Sequence, residues 1–157
     1  MPLVTPRLDL ILQTPDAVLR WVATLPADVR AQVSPDWLER VRNTSPGDMW
    51  ALTHNAIERM SGEHVGTVAF KGPPDAKGIV EIAYGIEPEH QGRGFATEAA
   101  TALVAFALAD DRVRTVRAHS KADNAASARV LVKCGFRSLG EVVDPEDGPV
   151  LRWELVR

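Results

Sequence analysis

The most restrictive feature of the sequence is a pair of glycines placed between a strand pattern and a helix pattern. Residues 79–86 (IVEIAYGI) alternate as a strand, residues 90–95 read HQGRGF, and residues 96–109 have the strongest helix pattern. Glycine destabilises a helix interior by about 1 kcal/mol relative to alanine, so it suits a sharp bend or a close backbone approach. Residues 113–120 form the next strand pattern. A strand–helix–strand crossover predicts that the two strands lie parallel.

The other segments extend this unit into a mixed α/β fold with a mostly antiparallel sheet. The apolar periodicities and the Gly/Pro punctuation predict further strands and helices on both sides of it. We predict strands at 7–13, 49–55 and 63–71, helices starting at Pro15, Pro35 and Asn124, and a hairpin in 140–157 around PEDGP. The length of 157 residues favours one domain, residues 1–157.

Composition excludes several classes of protein. The net charge of −3 argues against a protein that coats nucleic acid. Cys134 is the only cysteine, so no disulfide within the chain and no multi-cysteine zinc site is expected. The longest nearly apolar run, residues 99–109, is shorter than the roughly 20 residues that a membrane helix needs. The first residues lack the pattern of a signal peptide, so we expect a cytoplasmic protein.

The glycine-rich stretch has two interpretations from its residues alone. A helix N-terminus carries free N–H groups and a partial positive charge, and glycines let a phosphate reach them. Arg93 offers a charge-assisted contact. Alternatively, the glycines only make a tight turn between strand and helix. A P-loop would need Gly-Lys-Ser/Thr, which is missing, and a dinucleotide fingerprint would need Gly or Ala where the chain has Thr97.

The stretch Gln91-Gly92-Arg93-Gly94-Phe95-Ala96 resembles the Gln/Arg-x-x-Gly-x-Gly/Ala signature of the GCN5-related N-acetyltransferases (GNAT). EIAYGIEPEHQGRGFATEA is similar to the strand, loop and helix around that signature, and ADNAASARVLVKCGF is similar to the family's Asn-x-x-Ser helix. TPRLDL resembles the opening strand of the branch that includes ribosomal-protein N-terminal acetyltransferases. The resemblance covers most of the chain and implies a GNAT fold with a β-α-β core that binds acetyl-coenzyme A.

The resemblance implies direct transfer of an acetyl group from acetyl-coenzyme A to a primary amine in a ternary complex, without an acetyl-enzyme. Backbone N–H groups near residues 83–86 would bind the thioester carbonyl. Asn124 would lie near the pantetheine arm, and Ser127 near the sulfur, where it is a candidate proton donor. Arg129 and Lys133 would meet the adenosine phosphates or form a solvated face. The expected cosubstrate-binding residues are Ala83, Tyr84, Gly85, Ile86, Gln91, Gly92, Arg93, Gly94, Phe95, Ala96, Thr97, Asn124, Ser127 and Arg129.

Strand parity gives the candidate base. Glu81 shares one face of the strand with two small residues, Ala83 and Gly85, which predicts an open floor for a ligand. Glu81 also matches the family's acidic position, so we expect it to accept the amine proton through water. His119 and solvent are the alternatives. Tyr84, on the opposite face, is assigned to the core. Many relatives have a tyrosine acid where this chain has Leu131.

Several alternatives stay open at this point. A coenzyme A-binding module without catalysis would keep the glycine loop and need neither Glu81 nor Ser127. A modifier of charged tRNA would need a basic surface, which the net charge disfavours. The histidines lack metal-ligand spacing, so no metal is expected. A homodimer is an expectation from the resemblance alone, and the acceptor amine is not specified by the sequence.

Overall fold

The computed structural model describes residues 3–157. In chain order the elements are β1 (Leu3–Val4), β2 (Leu8–Leu12), α1 (Pro15–Thr24), α2 (Ala27–Arg30), α3 (Pro35–Asn43), β3 (Thr53–Glu58), β4 (His64–Phe70), β5 (Ile79–Ile86), a 3-10 turn (Pro88–His90), α4 (Phe95–Leu108), β6 (Thr115–Ser120), α5 (Ala125–Lys133), β7 (Arg137–Asp144) and β8 (Gly148–Val156). None of the helices in this part of the chain is long and apolar enough to cross a membrane.

Within residues 3–157, eight strands form one sheet in the order β1-β2-β3-β4-β5-β6-β8-β7. Only β5 and β6 are parallel there, as the crossover through α4 predicts. The terminal hairpin places β8 beside β6 and leaves β7 at the edge. The predicted mixed fold with a mostly antiparallel sheet is confirmed.

The sheet opens in its middle because β5 and β6 separate. Their pairing covers only Ile79 to Glu81 on β5, although β5 continues to Ile86 alongside β4. The Lys71 N–H donates to the Glu81 carbonyl at 2.9 Å, so the odd-numbered residues of β5 direct their backbone groups at β4. By the alternation of an antiparallel pair, the even-numbered residues direct theirs into the gap.

The main core lies between α4 and the sheet. The buried face of α4 consists of Phe95, Ala99, Ala100, Leu103, Val104 and Ala107. Small alanines let the helix approach the strands closely, and larger side chains at either end fill the remaining space. Rings of Trp50, Phe70 and Phe106 meet with centroids 4.7–5.8 Å apart. A smaller cluster of Val18, Val41 and Leu52 anchors α1 and α3.

Two predicted boundaries are wrong. The strand predicted at 49–55 begins only at Thr53, because Asp48 holds the preceding residues in a turn. Its carboxylate accepts the Trp50 N–H at 2.9 Å and its carbonyl accepts the Leu52 N–H at 3.2 Å. The hairpin predicted from residue 140 begins three residues earlier, at Arg137. A register shift between Ser138 and Gly140 interrupts the alternation on which the prediction depended.

Protonation of His54 should make stability depend on pH. The side chain is fully buried in β3, and burial lowers the pKa of His54 from 6.5 to about 4. Between these values the unfolded chain binds a proton that the folded chain excludes. The stabilising effect of a neutral His54 is therefore complete above pH 6.5 and is lost as the pH falls to 4. Over this range the free energy of unfolding decreases by about 3 kcal/mol.

We expect the free energy of unfolding, measured with urea at pH 7, 5.5 and 4, to fall more steeply for the unchanged protein than for His54→Gln. The comparison removes the contribution of carboxyl groups, which both proteins share. Equal slopes would contradict a neutral, buried His54.

Candidate functional site

The loop between β5 and α4 owes its shape to two glycines. Gly92 has φ +78° and Gly94 has φ +84°, a left-handed conformation that side chains with a Cβ disfavour. Gly94 is the N-cap of α4 and offers no side-chain acceptor. The first N–H groups of a 14-residue helix are thus left without a side-chain cap. The structure confirms the tight turn, which also opens the helix terminus, and phosphate binding there stays a prediction.

A cavity of about 410 Å³ lies over this helix terminus, between the open end of β5 and α5. Twelve of the fourteen predicted cosubstrate-binding residues line it, and their contacts with a ligand remain predictions. Ala83 and Arg93 are the two that do not line it. The others are Tyr84, Gly85, Ile86, Gln91, Gly92, Gly94, Phe95, Ala96, Thr97, Asn124, Ser127 and Arg129.

The guanidinium of Arg93 does not face this cavity. It donates to the Glu58 carboxylate at 2.7 Å and lies 4.6 Å from the centre of the Phe95 ring. Glu58 is only 7% exposed, and a carboxylate at such a position requires a cationic partner. The structure therefore gives no support to the predicted contact between the Arg93 side chain and a phosphate. Only the backbone N–H of Arg93 remains available in the loop.

The first cavity is suited to an anion. Arg129 and Lys133, four residues apart on α5, both line it, and His90 lies at its other side. None of its lining residues, all within the described chain, carries a carboxylate. Uncapped N–H groups and two permanent cations therefore face the same space, as a pyrophosphate or phosphate group requires.

Asn124 and Ser127 start α5 at the edge of this cavity. The Asn124 side-chain oxygen accepts the Ser127 N–H at 3.0 Å, so Asn124 is the N-cap of the helix and keeps only its amide nitrogen for a ligand. The Ser127 hydroxyl lies 2.9 Å from the Tyr84 hydroxyl. Leu131, one turn further on, is fully buried in the core.

Strand parity assigns Tyr84 to the core, and the structure places only part of the side chain there. Its hydroxyl meets Ser127 in the first cavity, although part of its ring packs on the core. Burial raises the pKa of Tyr84, which keeps the phenol protonated near neutral pH. On this face Val80 and Ile82 are buried in the core, whereas Tyr84 and Ile86, further along the strand, also line the first cavity.

A second cavity, of about 580 Å³, lies on the other face of β5. Glu81 and Ala83 form its floor, which agrees with the open face that parity predicts. Its walls come from the start of α3, the ends of β3 and β4, and the β7–β8 turn. The wall residues are Ser34, Trp37, Arg40, Thr53, Ala69, Phe70, Lys71, Asp144, Pro145, Glu146 and Asp147. Trp37 thus lines the cavity, whereas Trp21 is exposed and lies outside it.

Glu81 is held by two neighbours. The Lys71 ammonium lies 2.8 Å from its Oε2 and 2.9 Å from Asp147 Oδ2, so it connects the floor to the β7–β8 turn. Burial opposes the charge of Lys71, but its hydrogen bonds to these two carboxylates outweigh burial and raise its pKa. The Nδ1 atom of His119 lies 3.3 Å from the same Glu81 oxygen.

Arg152 decides which nitrogen of His119 carries the proton. Its Nε–H donates to His119 Nε2 at 3.1 Å, and an arginine can only donate. Neutral His119 therefore carries its proton on Nδ1, facing Glu81. In this arrangement neither nitrogen is free to accept a proton from a substrate. The geometry favours His119 as an orienting group for Glu81 over His119 as the base.

The same tautomer argues against a metal at this place. Oxygen and nitrogen atoms of Glu81, His119 and Asp144 all lie within 4.8 Å of one another. A metal would need the Nδ1 lone pair, which is protonated here, and it would have to displace the Lys71 ammonium. The donor set does not fit a metal ion, and the absence of a metal stays a prediction.

Comparison with known families and proteins agrees with this geometry. The family model described as acetyltransferase (GNAT) domain matches residues 5–137. The chain is 31% identical over 99 residues to the uncharacterised N-acetyltransferase YjdG of Bacillus subtilis, a match that covers 63% of this chain and 56% of the relative. The chain thus spans about half the length of the curated relatives it matches.

Solved structures share the fold along the whole chain. RimL, a ribosomal L7/L12 α-N-protein acetyltransferase in complex with coenzyme A, superposes with a TM-score of 0.71 at 18% identity, covering 99% of this chain and 98% of that one. The aminoglycoside acetyltransferase AAC(6')-Ib, in complex with ribostamycin and coenzyme A, gives 0.70 at 18% identity over 97% and 94%. At this identity the likeness concerns the fold.

Gly92→Ala should weaken binding of coenzyme A by about tenfold, because the left-handed backbone at the loop is strained by about 1–2 kcal/mol and shifts. Gly47→Ala is the matched control, since Gly47 has φ +90° and equally open surroundings but lies in a distant turn. Calorimetry and urea unfolding of both variants would measure affinity and stability. If the two variants lose the same free energy of unfolding and bind coenzyme A equally well, the loop does not contact the ligand.

Proposed function

The chain belongs to the GNAT acetyltransferase family, and we propose that it is an acetyl-coenzyme A-dependent N-acetyltransferase acting on a primary amine. The observation that carries this proposal is the position of the two cavities. Glu81 and Ala83 line one cavity and Tyr84, Gly85 and Ile86 line the other, so the two adjoin along β5 where it separates from β6. A donor in one cavity and an acceptor in the other would therefore meet at the same stretch of backbone.

The first cavity would hold the cosubstrate. The pyrophosphate would accept N–H groups from Gly92 to Ala96, and Arg129 and Lys133 would bind a phosphate on the adenosine side. The pantetheine arm would run between β5 and the start of α5, near Asn124. The two related structures with coenzyme A bound support this choice of ligand.

The thioester would lie in the gap of the sheet. Its carbonyl oxygen would accept an N–H from an even-numbered residue of β5, Tyr84 or Ile86, since these backbone groups face away from β4. The same donor would stabilise the negative charge that develops on this oxygen during attack. Ala83 would contribute only the peptide bond that it shares with Tyr84. Its side chain lines the second cavity.

The amine would enter from the second cavity and attack the carbonyl carbon. Glu81 would accept the amine proton through a water molecule, with the Lys71 ammonium holding the carboxylate in place. The carbon–sulfur bond then breaks, and coenzyme A leaves as a thiolate that takes a proton. An α-amino group has a pKa of about 8 and a lysine about 10.4, so an α-amine demands less of the base.

Ser127 is the candidate donor of the thiolate's proton. Its hydroxyl lines the cosubstrate cavity and shares a hydrogen bond with the Tyr84 hydroxyl. Tyr84 would orient this hydroxyl and replace the proton that Ser127 gives up. A tyrosine on the neighbouring strand would thus serve where the helix itself offers only the buried Leu131.

A coenzyme A-binding module without catalysis remains the second candidate function. It would use the first cavity in the same way and would have no need for the arrangement around Glu81. The membership of the ribosomal-protein branch, the cytoplasmic location, the homodimer and the absence of nucleic-acid partners remain predictions.

Glu81→Gln separates these two functions. We expect kcat to fall at least 100-fold, because an amide cannot take the proton, while the Kd for acetyl-coenzyme A changes less than threefold. Glu141→Gln, on the exposed edge strand β7, is the matched control and should keep full activity. Release of thiol and calorimetric titration would measure both quantities. Undiminished turnover in Glu81→Gln would exclude this carboxylate as the base.

Tyr84→Phe and Ser127→Ala test the hydroxyl pair. If Tyr84 acts through Ser127, each change should lower kcat by about tenfold with little effect on the KM for acetyl-coenzyme A, and the double variant should lose no more than the worse single one. The pH profile of kcat should change in the same way in all three. Multiplicative losses in the double variant would mean that the two hydroxyls act independently.

A further inference from the structure

We propose that the second cavity selects an acceptor with at least two ammonium groups, one that reacts and one that binds at the β7–β8 turn. This inference rests on the proposed acetyl transfer and names the class of its acceptor. Linear polyamines and amino sugars both carry several ammonium groups, and the experiment below distinguishes between these two classes of acceptor.

The two cavities are lined by charges of opposite sign. The first is lined by Arg129 and Lys133 without a carboxylate, whereas the second is lined by four carboxylates against two cations, Arg40 and Lys71. At neutral pH the second cavity therefore carries a formal charge of −2. A cavity of this sign attracts cationic ligands and repels anionic ones over several ångströms. The four carboxylates belong to Glu81, Asp144, Glu146 and Asp147.

Lys71 shows that this cavity accommodates an ammonium group. Its Nζ forms hydrogen bonds to Glu81 at 2.8 Å and to Asp147 at 2.9 Å. The lysine side chain is one third exposed, so an incoming ammonium can compete for the same two carboxylates. The reacting amine would enter as such a cation beside Glu81 and lose one proton to bulk water before it attacks.

Asp144 offers a second anionic position in the same wall. Burial raises its pKa, but the N–H groups of Asp147 and Glu146 outweigh that effect and lower it, which keeps the carboxylate charged. Both N–H groups bond to Oδ2, which leaves Oδ1 without a hydrogen-bond donor among the described residues. This oxygen lies 3.9 Å from Nδ1 of His119.

His119 lies beside two of these carboxylates. Its side chain is 4% exposed, and within residues 3–157 its Nδ1 has no partner in hydrogen-bond geometry, although it faces Glu81 and Asp144. Trp37 adds an aromatic wall, which also suits a cation.

The reaction on such an acceptor is balanced. The free amine of one terminus attacks the acetyl carbon, the carbon–sulfur bond breaks, and an acetamide and coenzyme A result. The amine proton passes through water to Glu81, and the thiolate is protonated. The second ammonium stays charged and takes no part in bond formation.

The test compares acceptors of different charge on the intact protein. Spermidine represents the linear polyamines, kanamycin the amino sugars, and n-butylamine and the tripeptide amide Ser-Ala-Ala represent acceptors with one ammonium. We expect kcat/KM for spermidine or kanamycin to exceed that of both single-ammonium acceptors at least tenfold. This excess should shrink as salt is raised from 50 to 300 mM, because salt screens the attraction between the carboxylates and the second ammonium. Whichever of the two is preferred identifies the source.

A double variant, Asp144→Asn with Glu146→Gln, should raise the KM for the preferred acceptor about tenfold and that for n-butylamine by a clearly smaller factor. Glu141→Gln on β7 is the control that removes one negative charge outside the cavity. Equal kcat/KM for all acceptors, or no effect of the double variant, would overturn the proposal.

A binding measurement keeps this test separate from catalysis. Calorimetric titration of spermidine and of kanamycin into the protein loaded with coenzyme A requires no turnover. Binding that the double variant abolishes would support the cationic site even if acetyl transfer itself failed. If neither compound binds at 50 mM salt, the inference is wrong, whether or not n-butylamine is acetylated.

Discussion

The separation of β5 from β6 after Glu81 is the constraint on which the rest of the site depends. Up to that residue the two parallel strands are hydrogen-bonded, and beyond it only β4 accompanies β5. The loss of this neighbour frees the backbone groups on one edge of β5. One face then lines a cavity at the start of α4, and the other lines a cavity beneath the β7–β8 turn.

Charge is distributed across this strand so that each cavity suits a different ligand. Helix termini and two cations of α5 surround the first, and carboxylates from β5 and the β7–β8 turn surround the second. Glu81 belongs to the second cavity, although the backbone beyond it borders the first. The Lys71 ammonium and the Nδ1–H of His119 both face its carboxylate, which connects the candidate base to the turn and to β6. In the proposed mechanism the acceptor competes with Lys71 for the same carboxylate.

Local patterns predicted the elements well, and long-range contacts explain what they missed. Gly92 and Gly94 signalled the loop, because a left-handed backbone requires glycine there. Strand parity identified the open floor at Glu81, yet the same rule assigned Tyr84 to the core, because alternation alone does not show that this face also borders a cavity beyond Ile82. The partner of Arg93 is Glu58, 35 residues away, and no spacing rule connects them.

The central claim is that the cavity over the start of α4 binds acetyl-coenzyme A. The most direct measurement is calorimetric titration of the purified protein with acetyl-coenzyme A and with dephospho-coenzyme A. The account predicts micromolar binding of the first and about tenfold weaker binding of the second, because the latter lacks the phosphate that Arg129 and Lys133 would bind. If the folded protein binds neither, the glycine loop is only a turn, and the function proposed for this chain is contradicted.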